Sequence, residues 1–125
     1  MTRILIVDDD ETIRQLLGKA LEQAGFEVVL AVDGRDGMQR FRSVHFDLVI
    51  LDIWMPEKDG LETLMEIRRN TPHAKVIAIS GGGQRGLMQP LNWAQQLGAV
   101  GALNKPFTVE ELLSVIRAAL GTSTG

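Results

Sequence analysis

The sequence predicts a doubly wound α/β domain, a parallel sheet with helices on both faces. Five short aliphatic runs recur along the chain, at 4–7, 28–31, 48–51, 76–79 and, more weakly, 100–103. Each is apolar without alternation, the pattern of strands covered on both faces. Stretches with helical spacing separate the runs, and right-handed crossovers between successive strands then leave a parallel sheet of five strands with five helices.

The first run, ILIV, passes straight into Asp8, Asp9 and Asp10. In the first helix Ile13, Leu16, Leu17, Ala20, Leu21 and Ala24 follow helical spacing, and Gly25 stands where helices commonly end in a left-handed residue. The second helix, about Gly34–Ser43, has a weaker pattern and is placed mainly by the strands around it. Leu61, Leu64, Met65 and Ile67 mark the third. A fourth, over about 84–97, again rests on its flanking strands. The fifth is the best signalled: Val109, Leu112, Leu113, Ile116 and Leu120 repeat at helical spacing, Thr108 with Glu111 makes a capping box, and Phe107 with Leu112 makes a hydrophobic staple. Residues 1–121 are expected to form one domain, followed by a disordered tail at 122–125.

At 125 residues, with 45% hydrophobic and 23% charged, the chain has the makeup of a single globular domain. Its net charge is -3 and its 13 basic residues are scattered, so no basic patch points to nucleic acid or anionic lipid. The absence of cysteine excludes disulfides, thiolate metal sites and a cysteine nucleophile. No leader-like pattern or membrane-length apolar run occurs, and a cytoplasmic location is expected.

In an open sheet of this winding, ligands bind beyond the carboxyl ends of the strands. Asp8 and Asp9 end the first strand, Asp52 ends the third, Ser80 ends the fourth, and Lys105 follows the fifth. Carboxylates gathered at one edge repel one another unless a cation is present. A hard oxygen site with few protein ligands suits Mg²⁺, so Asp8, Asp9 and Asp52 are candidate metal ligands. Asp10 is assigned to capping the first helix. Lys105 supplies a fixed positive charge and Ser80 a hydroxyl; with a divalent ion they would surround the oxygens of a phosphoryl group. A carboxylate inside such a clamp can itself be the nucleophile.

Other features are set aside. The segment SGGGQRG at 80–86 has no Lys-Ser or Lys-Thr after its last glycine, so it is not a P-loop. His45 and His73 precede strands at the opposite edge, with nothing charged placed to tune either, and are read as exposed histidines rather than phosphoacceptors. Met38, Met55, Met65 and Met88 are read as packing residues.

Over residues 3–120 the chain resembles the receiver domain of bacterial two-component response regulators. The likeness rests on the acidic pair in VDDD, on LVILDIWMPEKDG at 48–60, on the hydroxyl residue Ser80, and on NKPF at 104–107. The resemblance implies a flavodoxin-like sheet of strand order 2-1-3-4-5. It also implies a phosphorylation-dependent signalling switch that accepts a phosphoryl group from a histidine kinase or phosphotransfer protein onto Asp52 and changes its affinity for a downstream protein. Such a domain is an autocatalytic phosphoacceptor rather than a turnover enzyme. Asp8 and Asp9 would hold Mg²⁺ directly or through water, the backbone carbonyl of Trp54 would be a further ligand, and Ser80 and Lys105 would contact the phosphoryl oxygens. Lys105–Pro106 would be a cis peptide. Met55-Pro56 and Asp59-Gly60 would shape the loop after the third strand, with Gly60 permitting a tight backbone. No direct nucleic-acid or membrane partner is expected.

The chain also departs from the family pattern. Ser80 and Lys105 stand 25 positions apart, a few more than usual, and Gly81 replaces a common alanine. Ala102 occupies the position where many receivers carry a Tyr or Phe that swings inward on phosphorylation. The response is therefore expected in the loop at 81–86 and the start of the fourth helix, altering the face that includes Trp93. An aspartate-nucleophile phosphatase fits less well, because DIW at Asp52 lacks the second acid of an Asp-x-Asp motif. A flavin carrier would need a phosphate loop where DDDET stands. A degenerate receiver acting as a protein-interaction module is the remaining alternative, and the presence of Asp8, Asp9, Asp52, Ser80 and Lys105 weighs against it.

In the resemblance, water attacking a phosphorylated Asp52 passes the side chains two positions after Asp52 and Ser80, here Trp54 and Gly82. An indole crowds that approach and glycine orients nothing. Trp54→Asn should therefore speed loss of label from the isolated phosphoprotein, and an unchanged or slower decay would contradict the argument.

Overall fold

Five parallel strands, β1 (Arg3–Val7), β2 (Glu27–Ala31), β3 (Leu48–Asp52), β4 (Val76–Ser80) and β5 (Gly101–Asn104), form one sheet in the order β2-β1-β3-β4-β5. The structure, a computed structural model, describes residues 1–53, 60–80, 96 and 98–121. Among these are four helices: α1 (Glu11–Gln23), α2 (Gly34–Ser43), α3 (Gly60–Asn70) and α4 (Val109–Leu120). The helix expected over 84–97 lies, apart from Gln96, outside the described residues. So do Trp54, Met55-Pro56, Asp59, the loop at 81–86, Met88, Trp93 and the tail at 122–125.

The sheet is a wall with a core on each side. Alternate side chains of a strand leave opposite faces, and the two cores divide by that parity. Leu5, Val7, Val49, Leu51, Val76 and Ala78 pack with Met38 of α2 and with Leu64 and Ile67 of α3. Ile4, Ile6, Leu48, Ile50, Ile77 and Ile79 pack with Leu17 and Leu21 of α1 and with Leu112 and Ile116 of α4. The three central strands are buried almost throughout, which is why their runs show no polar alternation, whereas the edge strands β2 and β5 are covered only in part.

Local signals at the helix ends are realised. Asp10 caps α1, its carboxylate accepting from the N–H groups of Thr12 at 2.9 Å and Ile13 at 3.3 Å. Gly25, just past α1, has φ 98°. At α4 the Thr108 hydroxyl accepts from Glu111 N–H at 3.0 Å while the Glu111 carboxylate accepts from Thr108 N–H at 2.7 Å, so the capping box closes in both directions. No helix among the described residues is long and apolar enough to cross a membrane.

Several apolar positions read as inward are not. Leu16 of α1, Met65 of α3 and Val109 of α4 are 58%, 44% and 39% exposed, and Ala24, just past α1, is exposed as well. Leu16 and Met65 each lie one residue, a rotation of about 100°, from a buried neighbour (Leu17 and Leu64), so the apolar stripe is wider than the surface it covers. Met38, in contrast, is fully buried as expected.

Gly60, the first residue of α3, has a stricter reason to be glycine than turn propensity. A Cβ there would overlap the Cα of Ile53 and the carbonyl oxygen of Asp52. The start of α3 thus rests directly on the backbone that leaves β3. That backbone has little room to yield, since Ile53 is fully buried and its N–H donates to the Ile79 carbonyl at 2.9 Å. Gly60→Ala should lower the unfolding free energy in urea by about 1–3 kcal/mol, the usual cost of forcing extra volume into packed structure. A loss no greater than that of an exposed helical Gly→Ala change would contradict the contact.

Candidate functional site

Four strands deliver polar groups to one edge. Asp52 and Ser80 are the last residues of β3 and β4, Asp8 follows β1 by one residue, and Lys105 follows β5 by one. The parallel register fixes their relative heights: Val7 pairs with Leu51, Asp52 with Ile79, and Ser80 with Asn104. The ladder continues past β1, where Asp8 N–H donates to the Ala31 carbonyl at 3.2 Å, and past β5, where Lys105 N–H donates to the Ser80 carbonyl at 2.9 Å. Backbone hydrogen bonding of the sheet therefore carries the functional side chains to their places.

Asp8, Asp52 and Ser80 are buried, at 0%, 3% and 5% exposure, while Asp9 is exposed. One carboxylate oxygen from each of Asp8, Asp9 and Asp52 lies within 4.8 Å of the other two. The Lys105 ammonium donates to Asp8 Oδ2 at 3.0 Å and to Asp52 Oδ2 at 3.5 Å, tying together the two buried acids. Its side chain is only 21% exposed. Burial is the largest single influence on Lys105 and pushes its pKa down. The hydrogen bond to Asp8 and the charges of Asp52 and Asp8 outweigh it and hold the pKa above the ordinary 10.5. The ammonium form is thus secure at neutral pH.

The charge balance points to a further cation. One ammonium against three carboxylates leaves two negative charges in a partly buried cluster. The donors are hard carboxylate oxygens without sulfur or imidazole, and they fit Mg²⁺. The expected ligand from Trp54 lies outside the described residues. The Lys105–Pro106 peptide is cis, as the resemblance implied.

Sequence reasoning missed one participant. The Arg14 guanidinium donates to the Asp8 backbone carbonyl at 2.8 Å. Nothing in sequence alone separates this arginine from any charged residue on a solvated helix face. The reading of His45 also needs correction. Its Nε2 lies 3.3 Å from Asp47 Oδ1, so a charged group does stand beside it. Asp47 itself is held by the Arg3 backbone N–H at 2.8 Å, the main cause of its lowered pKa. The pair is exposed and stands before β3, at the opposite end of the sheet from the acidic cluster.

Comparison with known proteins agrees with this arrangement. The family profile described as response regulator receiver domain matches residues 4–117. A probable chemotaxis protein CheY of Rhizobium etli is 42% identical over 122 residues, covering 95% of this chain and 92% of its own length. The transcriptional regulatory protein CpxR of Escherichia coli is 39% identical, but 98% of this chain spans only 51% of it. Among solved structures, the response regulator TrrA of Thermotoga maritima in complex with Mg²⁺ and BeF superposes with a TM-score of 0.83 at 37% identity, covering 96% of this chain and 100% of that one.

Removing the ammonium would leave Asp8 and Asp52 buried with no counter-charge from Lys105. In Mg²⁺-free buffer near pH 7, Lys105→Ala should cost about 1–3 kcal/mol of unfolding free energy. Because the folded-state pKa is raised, this contribution is complete below about pH 10.5 and is lost as pH rises through the higher folded value. The variant should lack that component of the alkaline loss. Urea titrations at neutral and alkaline pH check both points, and a variant as stable as wild type at pH 7 would contradict the pairing.

Proposed function

The chain belongs to the response regulator receiver domain family, and from that premise we propose that Asp52 is its phosphoacceptor, with Asp8 and Asp9 completing a Mg²⁺ site. Receiver domains act as phosphoacceptor switches and bind Mg²⁺ at their acidic pocket. The observation that carries the residue assignment is the Lys105 ammonium held between Asp8 and Asp52, with Asp9 completing the carboxylate cluster.

A carboxylate oxygen of Asp52 attacks phosphorus, forming a P–O bond while the P–N bond to a phosphohistidine donor breaks. The departing imidazole carries away the bonding pair and takes a proton from solvent. Mg²⁺, when bound, neutralises the anionic oxygens that this attack brings together. The remaining work belongs to the chain. Lys105 is anchored on Asp8 at 3.0 Å and holds Asp52 more loosely at 3.5 Å. It can therefore turn toward an added phosphoryl oxygen without giving up its anchor. Ser80, at the end of the adjacent strand, would donate its hydroxyl to another phosphoryl oxygen. Since the orienting groups are the chain's own, phosphorylation is autocatalytic and a small donor such as acetyl phosphate suffices.

A histidine kinase or phosphotransfer protein would supply the phosphoryl group, and a downstream protein would read the result. Residues 1–121 would constitute the receiver domain, working in the cytoplasm where such phosphodonors are made. Scattered basic residues and a net charge of -3 favour output through protein contact rather than DNA contact by this chain. Ala102 pairs in register with Ala78, so position 102 offers no aromatic ring to swing toward a displaced Ser80.

Incubation with labelled acetyl phosphate should give one phosphoryl group on Asp52, only with Mg²⁺ present, and Asp52→Asn should abolish it. Phosphate mapped to Asp9, or labelling that persists in EDTA, would overturn the assignment.

A further inference from the structure

Asp8 is held at four atoms. Its N–H donates to the Ala31 carbonyl, Oδ1 accepts from Asp10 N–H at 2.9 Å, Oδ2 accepts from Lys105, and its carbonyl oxygen accepts from Arg14 Nη1 at 2.8 Å. The first three belong to the sheet, the turn and the phosphorylation pocket. The fourth reaches back from the fourth residue of α1, whose own N–H donates to the Asp10 carbonyl at 3.0 Å. Arg14 thus grips the 8–10 turn through both backbone and side chain.

The carbonyl that Arg14 holds lies in the same rigid peptide plane as the nitrogen and Cα of Asp9. With the next peptide held by the Asp10 N–H on Asp8 Oδ1, fixing that carbonyl restricts the direction in which the Asp9 side chain leaves the backbone. The Asp9 side chain has no anchor of its own: its carboxylate is exposed and makes no hydrogen bond or ion pair among the described residues. Yet its oxygen stands within 4.8 Å of those of Asp8 and Asp52. As a point charge, a guanidinium near the cluster would repel Mg²⁺. As a hydrogen-bond donor it would prepare the site, and the two effects have opposite signs.

We propose that Arg14 is a positioning residue for Mg²⁺, locking the Asp8–Asp9 peptide so that the otherwise unanchored Asp9 carboxylate meets those of Asp8 and Asp52. This rests on reading those three acids as the Mg²⁺ ligands. Metal affinity is sensitive to groups that orient its ligands, through geometry more than through charge.

Mg²⁺ titration by calorimetry on wild type, Arg14→Met and Arg14→Lys, with thermal unfolding of the same metal-free samples, tests it. Met keeps the aliphatic stem and removes the donor, whereas Lys keeps a charged N–H donor group, all that a single contact requires. Arg14→Met should raise the Mg²⁺ dissociation constant about ten-fold, the low end for losing a partner that orients a metal ligand. Arg14→Lys should bind close to wild type, and both variants should unfold cooperatively. If Arg14→Met binds Mg²⁺ as well as wild type or better, Arg14 acts at most as a charge and the proposal is overturned. An equal loss in Arg14→Lys also overturns it. Should Arg14→Met fail to fold, Arg14→Leu, uncharged and without a donor, takes its place with the same ten-fold expectation. No Mg²⁺ binding by the wild-type chain would remove the site assignment itself.

Discussion

The contact of the Lys105 ammonium with both Asp8 and Asp52 is the interaction on which this molecule turns. Two carboxylates at almost no exposure are costly unless a cation meets them, and the cation here arrives from a strand two places away from the one that carries Asp52. Bringing it there requires β1, β3, β4 and β5 to end at matched heights. Register in turn is fixed by two cores that share the sheet by residue parity, so that a slip of one position would send every side chain of a strand to the wrong face. The aliphatic wall is in this sense the precondition for the charged edge.

One ammonium does not balance three acids, and the imbalance gives the site its chemistry. The cluster lacks the charge that a divalent ion brings. Asp10 has turned its carboxylate to the helix cap and lends the site its backbone N–H instead. Gly60 lets α3 rest against the carbonyl of Asp52 itself. Three residues outside the carboxylate cluster, Asp10, Arg14 and Gly60, thus lie directly against Asp8 or Asp52.

Much of this was legible in the chain because the central strands are buried on both faces and their runs are unbroken. The polar residue ending each run is conspicuous for the same reason. β5 read weakly because an edge strand is covered only in part. Leu16, Met65 and Val109 are exposed despite their spacing because periodicity reports the width of an apolar stripe and not the surface opposite it. Arg14 and the His45–Asp47 pair were missed because such contacts depend on how turns bring side chains back, which spacing along the chain does not encode. Lys105 was identified, but its burial between two acids was not, since that follows only from the sheet order.

If the buried acids await a divalent cation, folding and Mg²⁺ binding must be linked. The most direct measurement is the urea unfolding free energy of the wild-type chain across a range of MgCl₂ concentrations, at ionic strength fixed with NaCl. The account predicts that stability rises once Mg²⁺ exceeds its dissociation constant, by about 1.4 kcal/mol for each further ten-fold increase. Stability that stays flat across the range would contradict the central claim that the Asp8, Asp9 and Asp52 cluster is a Mg²⁺ site.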